Sequence, residues 1–230
     1  MLPHIIHCCW FGGPKTSLAE KCEASWRRFV PDWQICEWDE CRVIAELGDL
    51  PGYSFFNRAI AMKKWAAASD WLRMASLWKK GGLYLDFDHE LVAPLDDLMV
   101  DEWVASEFTV SGETEYAAGA GLALQSGSSL AGYMLEQYAK MPVEHVDDMM
   151  PWIVAQMSAF FSIHGRIKVL PPEMMSPIDT KGVMHRTAQT RGIHHYAMSW
   201  ASRQRRAARW LSWHGLDGLV KFLLRLRRCR

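Results

Sequence analysis

The stretch Gly81-Gly82-Leu83-Tyr84-Leu85-Asp86-Phe87-Asp88 decides how this chain reads. It contains a glycine turn, a short apolar strand and two carboxylates one residue apart. Alternate residues of a strand share a side, which predicts that Asp86 and Asp88 project together where the strand ends. Neighbouring acids repel, and apolar flanks make ionising both harder. A divalent cation relieves both effects, and oxygen ligands suit Mg²⁺ or Mn²⁺. A cation held there can in turn neutralise a diphosphate.

Outward from this stretch the chain alternates between strand and helix patterns. Upstream, Leu2 to Cys9 is an apolar strand that ends at Trp10-Phe11-Gly12-Gly13-Pro14, a tight turn. Ser17 to Phe29 has helical spacing and stops before Pro31. Trp33 to Trp38 alternates like a strand, and Arg58 to Lys80 reads as the longest helix, ending at Gly81-Gly82. Downstream, Glu102 to Phe108, Gly119 to Gln125 and Arg166 to Leu170 read as strands, with helices at Ser128 to Met141 and Pro151 to Ile163. This order indicates an α/β fold: a mostly parallel or mixed sheet flanked by helices.

A chain of 230 residues fits one domain, or one domain with a short appendage. Half of its residues are apolar and 12 are tryptophan, which supplies a packed core and excludes a disordered class. The six cysteines form no CxxC pair or metal-ligand spacing, so reduced thiols are expected. No window has the apolar length of a membrane span, and the start lacks the basic and apolar regions of a signal peptide. A cytoplasmic location is the resulting expectation.

The net charge of zero hides an asymmetry. From Arg203 to Arg230 there are nine Arg or Lys residues and one acid, Asp217, giving +8 and leaving −8 on the rest. Trp210, Leu211, Trp213, Leu216, Phe222 and neighbouring leucines supply an apolar side. The expectation is a domain at 1–202 and a basic amphipathic helix at 203–230 that lies on the inner face of the cytoplasmic membrane. A helix packed on the domain is the alternative. The apolar share argues against a nucleic-acid partner.

Four blocks carry a resemblance: Ile5-Ile6-His7-Cys8-Cys9-Trp10-Phe11-Gly12-Gly13; Ala68-Ser69-Asp70-Trp71-Leu72-Arg73; the stretch from Gly81 to Asp88; and His194-His195-Tyr196-Ala197-Met198-Ser199-Trp200. In order and spacing they resemble bacterial glycosyltransferases with a sugar-binding DXD motif, the capsular polysaccharide and α-1,6-mannosyltransferase type. They are more distantly similar to the catalytic domain of the clostridial glucosylating toxins. The resemblance implies a GT-A (Rossmann-like) fold, a nucleotide-sugar donor, a divalent metal, Mn²⁺ or Mg²⁺, and retention of anomeric configuration.

It also implies roles. Asp88 is the direct metal ligand, and Asp86 touches the ribose and sugar side of the donor beside the metal. Asp70 and Arg73 share a helix face; an exposed ion pair is one reading, and recognition of the donor sugar is the one implied. Trp10 lies where ligands of such sheets sit, at the carboxyl end of a strand, and the matching Trp of toxin-like relatives stacks on uracil. By its spacing from Trp200, His195 matches the late metal ligand, while Ser199 and Trp200 can donate to the diphosphate. Tyr84 ranks below the aspartates on the donor side, and Glu90 is left outside the site. Glu107 to Tyr116 reads as a flexible loop that could meet the acceptor; Asp147 and Asp148 read as helix caps or acceptor contacts.

The expected enzyme is a metal-dependent, retaining hexosyltransferase. It would use a UDP-sugar by preference and a saccharide or lipid-linked saccharide acceptor in bacterial surface polysaccharide or lipopolysaccharide synthesis. Asp70, Arg73, Asp86 and Asp88 are its expected catalytic group. A phosphatase with a DxD nucleophile is a rival reading, but it needs the motif on the first strand, whereas here the motif follows 85 residues. A non-catalytic membrane-surface protein is another, and it leaves the four blocks without a purpose.

Overall fold

In the computed structural model, residues 1–197 are described apart from 110–113, 117, 118, 120 and 143–148, together with residues 207 and 211. The first half of the chain builds the parallel portion of a sheet. β1 (Ile5–Cys9) leads to α1 (Ser17–Phe29), where the Thr16 hydroxyl caps the Ala19 N–H and Ala19, Cys22 and Trp26 are buried. β2 (Gln34–Trp38) returns parallel to β1, with Ile5 opposite Gln34 and Cys9 opposite Trp38. Then come α2 (Glu40–Leu47), capped by Asp39, α3 (Tyr53–Ala61) and α4 (Trp65–Lys80).

The expected single helix from Arg58 to Lys80 is therefore two. Lys63 takes a positive φ of 56°, and the Lys64 N–H turns back to the Ala59 oxygen. No glycine or proline marks this break, so nothing in the local sequence announces it. α4 is buried almost all round, from Ala67 through Leu77 except Ser69. It ends at Gly81, whose φ is +66° and where a Cβ would come within 2.7 Å of the Ser126 nitrogen. At Gly82 (φ +112°) a Cβ would lie 2.6 Å from the Ile5 oxygen, so β3 (Gly82–Tyr84) lies tight against β1 because this position is glycine.

β4 (His89–Leu91) leaves the main sheet, and β5 (Trp103–Phe108), β6 (Thr114–Tyr116) and β7 (Leu122–Leu124) follow. After α5 (Ser129–Ala139) and α6 (Met150–Phe161), β8 (Lys168–Leu170) joins β5 in parallel; α7 (Pro172–Met175) and β9 (Gly192–His194) come last. The main sheet runs β2-β1-β3-β7-β5-β6 with β8 also on β5, while β4 and β9 pair antiparallel as a separate ribbon. β7 is antiparallel to both β3 and β5, so the sheet is mixed.

The expected loop at 107–116 is instead strand at both ends: Ser106, Glu107 and Phe108 pair with Tyr116, Glu115 and Thr114, and residues 110–113 between them lie outside the described ones. Two apolar clusters pack on the two faces, one beneath α2 to α6 and one against α1, β4 and α7. Cys8, Cys9, Cys22, Cys36 and Cys41 are free thiols. Among the described residues no helix is long and apolar enough to cross a membrane. The tail at 203–230 and the pair Asp147 and Asp148 lie outside the described residues, 207 and 211 excepted.

Candidate active site

β1 and β3 end side by side, with Ile6 opposite Leu83 and His7 opposite Tyr84. The Leu85 N–H still reaches the His7 oxygen, and there the strand stops: Asp86 and Asp88 stand in the turn between β3 and β4, closed by the His89 N–H on the Asp86 oxygen. The expected strand geometry for the pair does not hold. A turn nevertheless brings the carboxylates together, because each is held by a different partner.

Asp86 is held from below. Arg73 Nη2 donates to Asp86 Oδ2 at 3.0 Å, and Arg73 Nη1 donates to Asp70 Oδ1 at 3.0 Å. Arg73 is only 3% exposed, so this is a buried, forked arrangement rather than a solvated ion pair. Burial works against the cation, and the Asp86 and Asp70 carboxylates outweigh it, driving the guanidinium pKa upward. Tyr84 lies under the fork, with its ring centroid 4.9 Å from Arg73 Cζ. Its hydroxyl meets Cys9 Sγ at 3.2 Å, and that thiol donates to Ser69 Oγ at 3.3 Å. At 1% exposure Tyr84 does not line a donor site as expected; it is buried behind Arg73 and supports it.

Asp88 is held from the far end of the chain. The Ala197 N–H donates to Asp88 Oδ2 at 2.8 Å, the His195 N–H donates to the Asp88 backbone oxygen at 2.9 Å, and His194 Nε2 lies 3.4 Å from Asp88 Oδ1. Burial alone would raise the Asp88 carboxyl; the His194 charge and hydrogen bond with the Ala197 N–H hold it well below the usual carboxylate range. Burial opposes the His194 charge in turn, and Asp88 more than restores it, raising the imidazole pKa. Ligand atoms of Asp86, Asp88 and His194 all lie within 4.8 Å of one another. Two carboxylates and an imidazole form a donor set that fits a divalent cation, and the nitrogen favours Mn²⁺ over Mg²⁺.

The expectation that His195 completes this set is corrected. In extended backbone neighbouring side chains point to opposite sides, so only one of two adjacent histidines can face the pair. His194 does so, at the position paired with His89 across the ribbon, while His195 Nε2 lies 2.8 Å from Glu90 Oε2, which Lys21 also contacts. Counting from Trp200 does not reveal this parity; the strand register does.

Gly119 is the other site residue that the sequence did not single out: a Cβ there would lie 3.5 Å from His194 and 3.6 Å from Asp86 Oδ2. Trp10 stands just past β1, its indole N–H on the Gly13 oxygen at 2.8 Å and its ring edge-on to Phe87. Ser199 and Trp200 lie outside the described residues.

Comparison with known proteins accords with this geometry. The two chains that follow both share its fold. A glycosyltransferase designated PaToxG superposes with a TM-score of 0.57 at 16% identity, over 70% of this chain and 69% of that one. A glycosyltransferase involved in the glycosylation of the major capsid of PBCV-1 gives 0.51 at 15% identity, over 89% and 97%. The fold is thus GT-A. No curated protein matches the chain. Residues 17–108 match the family described as a glycosyltransferase sugar-binding region containing the DXD motif, with Asp70, Arg73, Asp86 and Asp88 inside the match. That match takes in the stretch from Gly81 to Asp88, and the chain is an enzyme of the glycosyltransferase class.

Proposed function

We propose that the protein is a metal-dependent, retaining hexosyltransferase that takes a nucleotide-diphosphate sugar, UDP-linked by preference, and passes the hexose to a saccharide acceptor. The convergence of Asp86, Asp88 and His194 at the carboxyl ends of β1 and β3 carries this reading. When bound, a divalent cation there offsets the charge of the leaving diphosphate.

The chain's own residues supply the rest. Arg73 and Asp70 offer a guanidinium and a carboxylate to sugar hydroxyls, with Arg73 fixed in place by two acids and the Tyr84 ring. Trp10 offers an indole face to the base. No described side chain stands as a covalent nucleophile, so the acceptor attacks on the face the diphosphate leaves, and the leaving phosphate takes the acceptor's proton. Surface polysaccharide or lipopolysaccharide synthesis is the proposed setting, with the enzyme cytoplasmic and its basic tail on the membrane. The separate tail at 203–230 rests on its charge and apolar pattern.

Release of UDP from a panel of UDP-hexoses, with and without Mn²⁺, tests the reading. Activity with at least one donor, lost on chelation and lost in Asp88→Ala, is expected; full activity in the chelated enzyme or the variant would refute the metal role. For the tail, co-sedimentation with anionic vesicles should be lost on truncation after Trp200, and equal pelleting of both forms would sink the idea.

A further inference from the structure

β5 continues past the level where β3 stops. Val104 pairs with Leu122, which pairs with Tyr84, the last residue of β3, and the Ala105 N–H reaches the Gly121 oxygen at 3.0 Å. Ser106 to Phe108 therefore stand beyond the end of β3, on the side of the sheet's edge where Asp86 and Asp88 lie. Trp103 and Ala105 face the apolar cluster that contains Leu85, Phe87, Leu91 and Met175, whereas Val104 faces the opposite one. Period-two alternation puts Glu107 on the face of Trp103 and Ala105, the face that carries the β4–β9 ribbon and His194.

Three observations single this carboxylate out. The Glu107 side chain is half-buried yet makes no hydrogen bond or ion pair with another described residue. It lies on the face of the sheet that carries His194, and Glu107 is not among the three ligands that converge. His194 Nδ1, buried on the same side of the sheet, has no partner among the described residues. A partly buried carboxylate without a donor is costly unless a ligand supplies one.

We propose that Glu107 is a further catalytic residue, whose carboxylate accepts the hydrogen bond of the attacking acceptor hydroxyl beside the Asp86–Asp88–His194 cluster. The proposal rests on the transferase reading and adds the group that orients the incoming oxygen. It places the acceptor over β5, between Gly119 and the ribbon, and it needs a polyhydroxy acceptor rather than an apolar one. Glu107 plays no role in the leaving of the diphosphate and does not receive the proton, which goes to the leaving phosphate.

Hydrolysis of a UDP-hexose by the full chain with Mn²⁺ tests this, because water then takes the acceptor's place. In Glu107→Gln, kcat should fall by roughly tenfold to a hundredfold, the value of a hydrogen bond to a charged group. Equilibrium binding of the UDP-hexose and of Mn²⁺ should stay within about twofold, and Glu107→Asp should recover some of the rate. An unchanged kcat, or a fall that tracks weaker binding of donor or Mn²⁺, would overturn the assignment. If the wild-type chain hydrolyses no UDP-hexose at all, the transferase reading itself fails, which is a different result from an unaffected variant.

Discussion

The two ends of the sheet set acids beside bases in different ways. At the amino-terminal end of β1, Asp101, Glu102, Arg166 and Lys168 line an open cavity of about 500 Å³ with Leu2 and Gln125. Arg166 and Lys168 are exposed there, and water solvates their charges. At the carboxyl end, Asp70, Arg73 and His194 are buried and Asp86 and Asp88 are partly so, each with a named partner. The same residue types do different work because one set has lost its water. Desolvated charges must be paired and fixed, and fixed charges are what recognise a sugar or a cation. That cavity is thus a poor guide here; the buried charge is the better one.

The contrast should show first in Arg73. Arg73→Met leaves the buried Asp70 and the partly buried Asp86 without their common cation, and the expected cost is roughly 3–5 kcal/mol in urea unfolding, with transfer abolished. A variant that unfolds like the wild type would place this fork in the solvated class. Arg73→Lys should also fail, since one ammonium does not reproduce the fork.

A second buried polar group, uncharged, sharpens the point. His7 accepts the Trp38 indole N–H at Nδ1 and meets the Gly81 oxygen through Nε2. Burial, more than any neighbour, lowers its pKa from 6.5 to about 4. The folded value lies below the unfolded one, so His7 favours folding fully above pH 6.5. That contribution is lost as pH falls from 6.5 towards 4, where only the unfolded chain binds the proton; it amounts to about 3 kcal/mol. Unfolding free energies at pH 7 and pH 4.5 should differ less in His7→Gln than in the wild type. Identical differences would show that His7 is already solvated.

Smaller effects follow. Tyr84→Phe keeps the ring under Arg73 and should cost about 1 kcal/mol with transfer retained, whereas Tyr84→Leu should lose transfer. Equal loss in both would return the hydroxyl to the donor side. At the opposite end, Arg166→Ala and Lys168→Ala should each shift stability by no more than about 0.5 kcal/mol and leave the rate alone. A larger effect would mean that end is not merely solvated surface.

Much of the fold could be read from the chain because its signals are local. The Thr16 cap and Pro31 bracket α1 closely, and the Gly81-Gly82 stop follows from backbone conformations that only glycine takes easily. What escaped was non-local. The break at Lys63 has no sequence mark, and the parity of His194 against His195 depends on how β9 registers with β4, 105 positions apart for His89 and His194. The burial of Tyr84 depends on α4 packing across β3. Asp86 and Asp88 were recognisable as a pair from spacing alone, yet they converge through Arg73 and Ala197 rather than through a strand.

Mn²⁺ titration of the full chain, followed by calorimetry or by the spin signal of the free ion, tests the central claim most directly. His194→Ala should weaken binding by at least about tenfold, and His195→Ala should leave it within about threefold. Weaker binding in His195→Ala with His194→Ala unaffected, or no Mn²⁺ binding by the wild-type chain, would contradict a centre built from Asp86, Asp88 and His194.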